Sequence, residues 1–180
     1  MFAETVERHA PERLTDMDWR PSGTTTTLPT QATLWSGVKS YRVLRYPFSG
    51  GEFVVTIAGS PPSWVWPTIE GLGGLLSLPA NWDTYGASRT DPRYIHAALR
   101  LISDTLRDNT PAPSVVPTGR GGVQLEWHTR GIDLEVEFVT PSRLRVSYED
   151  QHTGQAWESD LTRDLKPLTD AIATLSCAAQ

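Results

Sequence analysis

Between Gly121 and Tyr148 apolar and polar residues alternate almost without interruption: G-G-V-Q-L-E-W-H-T-R-G-I-D-L-E-V-E-F-V-T-P-S-R-L-R-V-S-Y. A period of two sends alternate side chains to opposite faces of a strand, so the stretch predicts an antiparallel meander with one buried face. A loop at Thr129–Ile132 sets His128 opposite Asp133, Trp127 opposite Leu134, Glu126 opposite Glu135 and Gln124 opposite Glu137. A second loop at Thr140–Ser142 sets Phe138 opposite Leu144, Glu137 opposite Arg145 and Val136 opposite Val146. Both registers join like faces, whereas a slip of one residue would invert a whole strand. The inner face then holds Val123, Leu125, Trp127, Leu134, Val136, Phe138, Leu144, Val146 and Tyr148.

Other patterns supply what covers that face. Ile95, Leu99, Ile102 and Leu106 recur at helical spacing over Pro92–Arg107, with Asp91-Pro92 as N-cap and first helical residue. Arg93, His96, Arg100 and Asp104 of that helix are expected to face water. A shorter helix over Thr68–Leu78 buries Ile69, Leu72, Leu75 and Leu76, its glycines allowing a neighbour to approach. A last helix capped by Ser159 or Asp160 carries Leu161, Leu165, Leu168, Ile172 and Leu175 on one side, kinked or restarted at Pro167. Lys39–Tyr46 and Glu52–Ala58 read as a hairpin, with a further strand start at Ala32–Trp35. Pro111–Pro117 reads as a short edge strand, and Glu149–Ser159 as a loop.

Proline-punctuated Ser60–Pro67 is expected to be neither helix nor central strand, so Trp64 and Trp66 share one face of an extended segment. They form either a lid on the core or an exposed anchor pair. The expected class is α+β: an antiparallel sheet of about four strands over 114–149 with helices on one face, plus an N-terminal β-hairpin. Residues 1–30, polar and without sustained periodicity, are expected to be a flexible arm with one helical turn near Ala3–Arg8, and 31–180 a single domain. Trp19 is the exception in that arm, a ring that gains by docking.

Charge sharpens this picture. The 180 residues carry a net charge of −5. Met1–Arg120 is balanced at eleven basic against eleven acidic residues, and Gly121–Asp160 sets three arginines against eight carboxylates. The excess therefore lies in the meander and the loop after it, which argues against a basic nucleic-acid footprint. Cys177 is the single cysteine, expected to be a small core residue of the last helix, and it cannot by itself make an internal disulfide. No run reaches the length of a membrane span, and Met1–Pro11 is too charged for a signal peptide, so a cytoplasmic location is expected.

On the outer face of the meander, Gln124–Glu137–Arg145 forms a balanced row. The rows Glu126–Glu135–Ser147 and His128–Asp133–Glu149 hold four carboxylates and one imidazole with no basic residue. Opposed like charges cost a few tenths to about 1 kcal/mol. Three readings follow. The carboxylates are solvated and bind nothing, or they dock a partner with a basic surface, or Glu126, His128, Asp133 and Glu135 hold a divalent metal for hydrolase or nuclease chemistry. Among recognised catalytic motifs none is present: no G-x-S-x-G, Walker loop, H-E-x-x-H or G-x-G-x-x-G.

A further stretch, N-W-D-T-Y-G-A at Asn81–Ala87, reads as a turn in which Asn81 and Asp83 cap backbone donors, Gly86 supplies the reversal, and Trp82 and Tyr85 plug the sheet. The competing reading lets Asp83 and Tyr85 line a cleft beside Glu126 and Trp127. Taken with the downstream G-G-V-Q-L-E-W-H at Gly121–His128 and T-G-Q-A-W-E at Thr153–Glu158, this order of motifs resembles a family of small uncharacterised bacterial proteins over about 75–175. The resemblance implies a bacterial or phage origin and a shared core, with no activity to carry over.

The expectation is thus a non-enzymatic protein-binding module, antitoxin-, immunity- or defence-accessory-like, with no catalytic residues and no cofactor. Its candidate contact residues are Glu126, His128, Asp133, Glu135, Glu149, Trp64 and Trp66. A metal-dependent hydrolase using the acidic cluster is the alternative.

Overall fold

Two antiparallel sheets and three helices carry the chain, in a computed structural model that describes residues 16–21 and 41–177. The first sheet joins β1 (Asp16–Pro21), β2 (Tyr41–Phe48) and β3 (Gly51–Ala58) in the order β1-β3-β2. The hairpin expected from the Tyr, Val and Phe pattern is there, closed more tightly than P-F-S-G-G suggests, with Phe48 opposite Gly51. Asp16–Pro21, placed by its sequence in an arm, pairs along β3 from Thr56 to Gly51. The rest of that arm, the strand start at Ala32–Trp35 and the ring of Trp19 lie outside what is described.

Helix α1 (Val65–Leu75) begins earlier than its glycine-rich sequence suggests, and it overturns the extended reading of Ser60–Pro67. Pro67 falls in the first turn, where backbone N–H groups have no intrahelical acceptor to lose. Trp64 is therefore the N-cap and Trp66 a helical residue, so the two rings leave the backbone in different directions and share no face. Gly73 faces Tyr46 so closely that a methyl group there would overlap the ring, and one at Gly71 would lie 3.1 Å from Val115. The expected close approach has named partners.

Helix α2 (Pro92–Thr105) is capped by Asp91, whose side chain accepts from the Arg93 N–H. Ile95, Leu99 and Ile102 are buried as the spacing requires, joined by Ala98 and Leu101. His96 is half-buried, and burial, then the nearby Arg100, holds its pKa below the ordinary value.

The main sheet runs β4 (Ser114–Pro117), β5 (Val123–Thr129), β6 (Ile132–Thr140), β7 (Arg143–Asp150) and β8 (Gln155–Leu161), each paired with the next. Every cross-strand pair expected from the alternation is present. The loops are shorter than expected. Thr129 also pairs with Ile132, leaving Arg130 and Gly131 alone at φ 57° and 69°, the pair of positive angles that suits a hairpin's twist. At the other end Thr140 pairs with Arg143, and the spare residue Val139 forms a bulge.

Strand β8 corrects the reading of Glu149–Ser159 as a loop, and with it the capping of a helix by Ser159 or Asp160. Only Gln151–Gly154 turns the chain, with Asp150 accepting from the His152 N–H and the Thr153 hydroxyl. Helix α3 (Lys166–Cys177) starts with Asp164 accepting from the Lys166 N–H, and Pro167 again sits harmlessly in a first turn. Cys177 is exposed, not a core residue, because the buried positions of this last turn are Leu175 and Ser176.

The helices and β3 share one core with the inner face of the main sheet, and all nine expected inner residues are buried. Two indoles pin the connection between α2 and β4 inside it: Trp64 Nε1 donates to the Arg107 carbonyl at 2.9 Å and Trp127 Nε1 to the Pro111 carbonyl at 2.8 Å. A buried indole N–H usually finds such an acceptor. No described helix is long and apolar enough to cross a membrane.

Candidate functional site

The outer face of the main sheet has its polar positions set by the same alternation that builds the core. Strands β5 to β8 direct Glu126, Asp133, Glu135, Glu137, Glu149, Glu158 and Asp160 to it, against Arg143 and Arg145. Seven carboxylates face two guanidinium groups, so a charge excess equal to that of the whole chain lies on one side of one sheet.

The two ends of this face differ. At one end the arginines are shared out: Arg143 meets Asp160 at 2.5 Å, while Arg145 reaches Glu137 at 3.5 Å, Asp160 at 3.6 Å and Glu158 at 3.8 Å. Arg143, ahead of Arg145, holds the Asp160 carboxyl below its usual pKa. At the other end, among the described residues, no arginine or lysine reaches Glu126, Asp133, Glu135 or Glu149.

Their place is taken by neutral donors and one imidazole. Gln124 Nε2 donates to Glu126 at 2.9 Å and to Glu135 at 3.2 Å, bridging two carboxylates that the register sets opposite each other. Gln151 donates to Asp133 Oδ2 at 3.0 Å. His128 lies between acids, with Nδ1 2.8 Å from Asp133 Oδ1 and Nε2 3.4 Å from Glu126 Oε2. The hydrogen bond with Asp133, supported by the one with Glu126, raises the His128 pKa above its ordinary value. A protonated ring satisfies both carboxylates as donor and is the local cation of this patch.

That arrangement bears directly on the metal alternative. A metal takes a neutral imidazole through a nitrogen lone pair. Here both ring nitrogens are turned to carboxylates, and the Glu126 and Glu135 oxygens converge on an amide. No group of three or more His, Cys, Asp or Glu among the described residues is arranged to hold a metal ion.

Asn81–Ala87 is a self-contained turn. Asp83 Oδ1 accepts from the N–H groups of Tyr85 and Ala87, and Asn81 Oδ1 accepts from Gly86. Asn81, Thr84 and Gly86 all take positive φ. The N–H of Ala87, then that of Tyr85, keeps the Asp83 carboxyl below its usual pKa, so its charge is spent on backbone donors. Trp82 is half-buried, with its Nε1 out of solvent and without an acceptor among the described residues. Tyr85, expected to plug the sheet, is 93% exposed.

The loop docks on the turn between β4 and β5, through the Ser88 N–H to Gly119 O and the Asp91 N–H to Gly121 O. Glu126 is the fourth residue of β5, on its outer face opposite Glu135. Asp83 is occupied by the backbone donors of its turn, and Glu126 by Gln124 and His128 in the sheet rows.

Trp64 is buried and Trp66 half-buried, with Arg42 5.0 Å above its ring, so neither belongs to the acidic face. Two shallow clefts, of about 450 Å³ beside Ile132, Asp150 and His152 and about 320 Å³ beside Trp157 and Lys166, lie away from both the acidic rows and the motif turn. The sequence reading missed Glu158 and Asp160 on the outer face and Gln124 as the bridge. The signal for the first two was Trp157-x-Ser159-x-Leu161, an alternation weakened by a serine at its centre.

No family model, curated protein or solved structure matches the chain.

Proposed function

We propose that the chain is a non-enzymatic module that binds another protein through the outer face of its main sheet, the partner offering a basic surface. One observation carries this reading: among the described residues, four carboxylates on adjacent strands have no arginine or lysine within reach, on a face that no described helix covers. Like charges held together on a rigid sheet raise the energy of the free protein, and a basic partner relieves it. Such a face also speeds encounter with a cationic surface. The motif resemblance adds a bacterial or phage setting, which suits an antitoxin-, immunity- or defence-accessory-like role in the cytoplasm.

The experiment is a paired capture from a bacterial host, using the wild-type chain and the E126Q/D133N/E135Q/E149Q variant. The reading requires a stoichiometric partner with a basic surface that the wild type retains at low salt and the variant loses. Equal recovery by both proteins overturns it.

A further inference from the structure

The outer edge of β8 is the feature that the acidic-face reading leaves unused. β8 ends the order β4-β5-β6-β7-β8, and no described strand pairs with its outer side. Exposed edges are ordinarily blunted by proline, a bulge, charged side chains (lysine above all) or brevity. β8 has seven residues, Q-A-W-E-S-D-L, in unbroken register with β7, without proline, bulge or lysine, and its charged residues, Glu158 and Asp160, are both acidic. The other edges differ. β4 has four residues, ends in Pro117 and packs against α1. β2 contains Pro47 and carries Arg42 and Arg45. β1 ends in Pro21.

The chemistry on the two sides of β8 narrows what could extend the sheet. Glu158, 68% exposed and 3.8 Å from Arg145, continues the Glu126–Glu135–Ser147 row at the edge, while Asp160, 42% exposed, is shared with Arg143 and Arg145. On the inner side Trp157 stacks on Tyr148 at 5.5 Å, and a cleft of about 320 Å³ opens between Trp157 and the first turns of α3, beside Asp164, Lys166 and Asp170. An added strand would send alternate side chains to these two sides. The outer positions meet carboxylates and the inner ones meet an open cleft.

The geometry points to β8 as the site where the basic partner adds an extended segment, its arginines or lysines alternating over Glu158 and Asp160. This rests on the reading that the partner is a basic protein and names how it is held: main-chain hydrogen bonds supply affinity and the alternate charges supply selectivity. A segment with arginine at every second position places all of its charge on the acidic side.

The test uses the full chain and two synthetic probes, an acetylated and amidated octapeptide of alternating arginine and threonine, and the same peptide N-methylated at alternate residues. N-methylation keeps the charge and removes edge hydrogen bonds. Backbone NMR shifts of the 15N-labelled protein locate the site. Shifts concentrated at Gln155–Leu161, with the N-methylated peptide bound about tenfold or more weakly, are expected. E158K/D160K, checked for wild-type chemical shifts in β5 and β6, should abolish the β8 shifts.

Shifts confined to Glu126, Asp133 and Glu135 and insensitive to N-methylation would overturn strand addition while leaving the acidic-face reading standing. No binding of either peptide would overturn the edge proposal, and the paired capture would still decide that reading separately. Self-association of the protein through β8, abolished by E158K/D160K, would assign the edge to a second copy offering the arginines of β2, and would also overturn the proposal.

Discussion

His128 Nδ1 lies 2.8 Å from Asp133 Oδ1, and the two residues are directly opposite each other in the β5–β6 ladder. With Glu126 Oε2 at 3.4 Å from the other ring nitrogen, the imidazole is held as a cation inside a patch of acids. Asp133, then Glu126, raises its pKa. Its contribution to stability is therefore complete below the unfolded value of about 6.5 and is lost as pH rises through the higher folded value. An NMR titration of the His128 ring should show a midpoint above the ordinary one, and D133N should lower it. A midpoint at or below the ordinary value in the wild type contradicts the ion-pair geometry.

Two neighbouring helical glycines should respond in opposite ways. At Gly73 a methyl group overlaps the Tyr46 ring, while at Gly74 nothing lies within 4 Å. G74A should gain up to about 1 kcal/mol from helix propensity. G73A gains the same propensity but loses about 1–3 kcal/mol to overpacking, for a net loss. Urea unfolding of both variants measures the difference, and equal shifts of the same sign would contradict the packing of α1 on β2.

The two tryptophans of W-V-W should separate just as clearly. Trp64 is 5% exposed and donates to the Arg107 carbonyl, whereas Trp66 is half-buried under Arg42. W64A should cost about 3–5 kcal/mol, the range for truncating a buried aromatic, and W66A distinctly less. Comparable losses in urea unfolding would restore the picture of two rings sharing one face.

How far the fold could be read in advance follows from how local each signal is. The pairs Glu126–Glu135 and His128–Asp133 were legible because burial of Trp127 and Leu134 between them leaves one register. The capping of α2 by Asp91 is written in two adjacent residues. By contrast, Pro67 and Pro167 looked like barriers until each was seen in a first turn, where proline costs no hydrogen bond. β1 and β8 escaped because each borrows its order from a neighbour: Met17 and Trp19 give Asp16–Pro21 too few apolar positions to declare a strand, and Ser159 interrupts the alternation of β8. For the candidate site, the carboxylates were visible in the sequence. So was the lack of a basic residue in their two rows; the bridging of Glu126 and Glu135 by Gln124 depends on side-chain geometry that the alternation does not specify.

The balance of charge on the outer sheet face bears on stability as well as binding. Glu135 faces Glu126 across the ladder with only the Gln124 amide between them. E135Q removes one of two opposed charges and should stabilise the free protein by a few tenths to about 1 kcal/mol at low salt, the gain fading as salt screens the pair. Thermal unfolding at two ionic strengths checks this, and a loss of stability at low salt would mean the carboxylate is satisfied by its surroundings.

The four carboxylates that no described arginine or lysine reaches form the proposed binding face, and the affinity of the captured partner for the wild-type chain and for E126Q/D133N/E135Q/E149Q across a salt series tests this most directly. Tight binding at low salt that weakens as salt is raised is expected, with a variant that binds at least about tenfold less well and keeps little salt dependence. The same affinity and the same salt dependence for both proteins would contradict it.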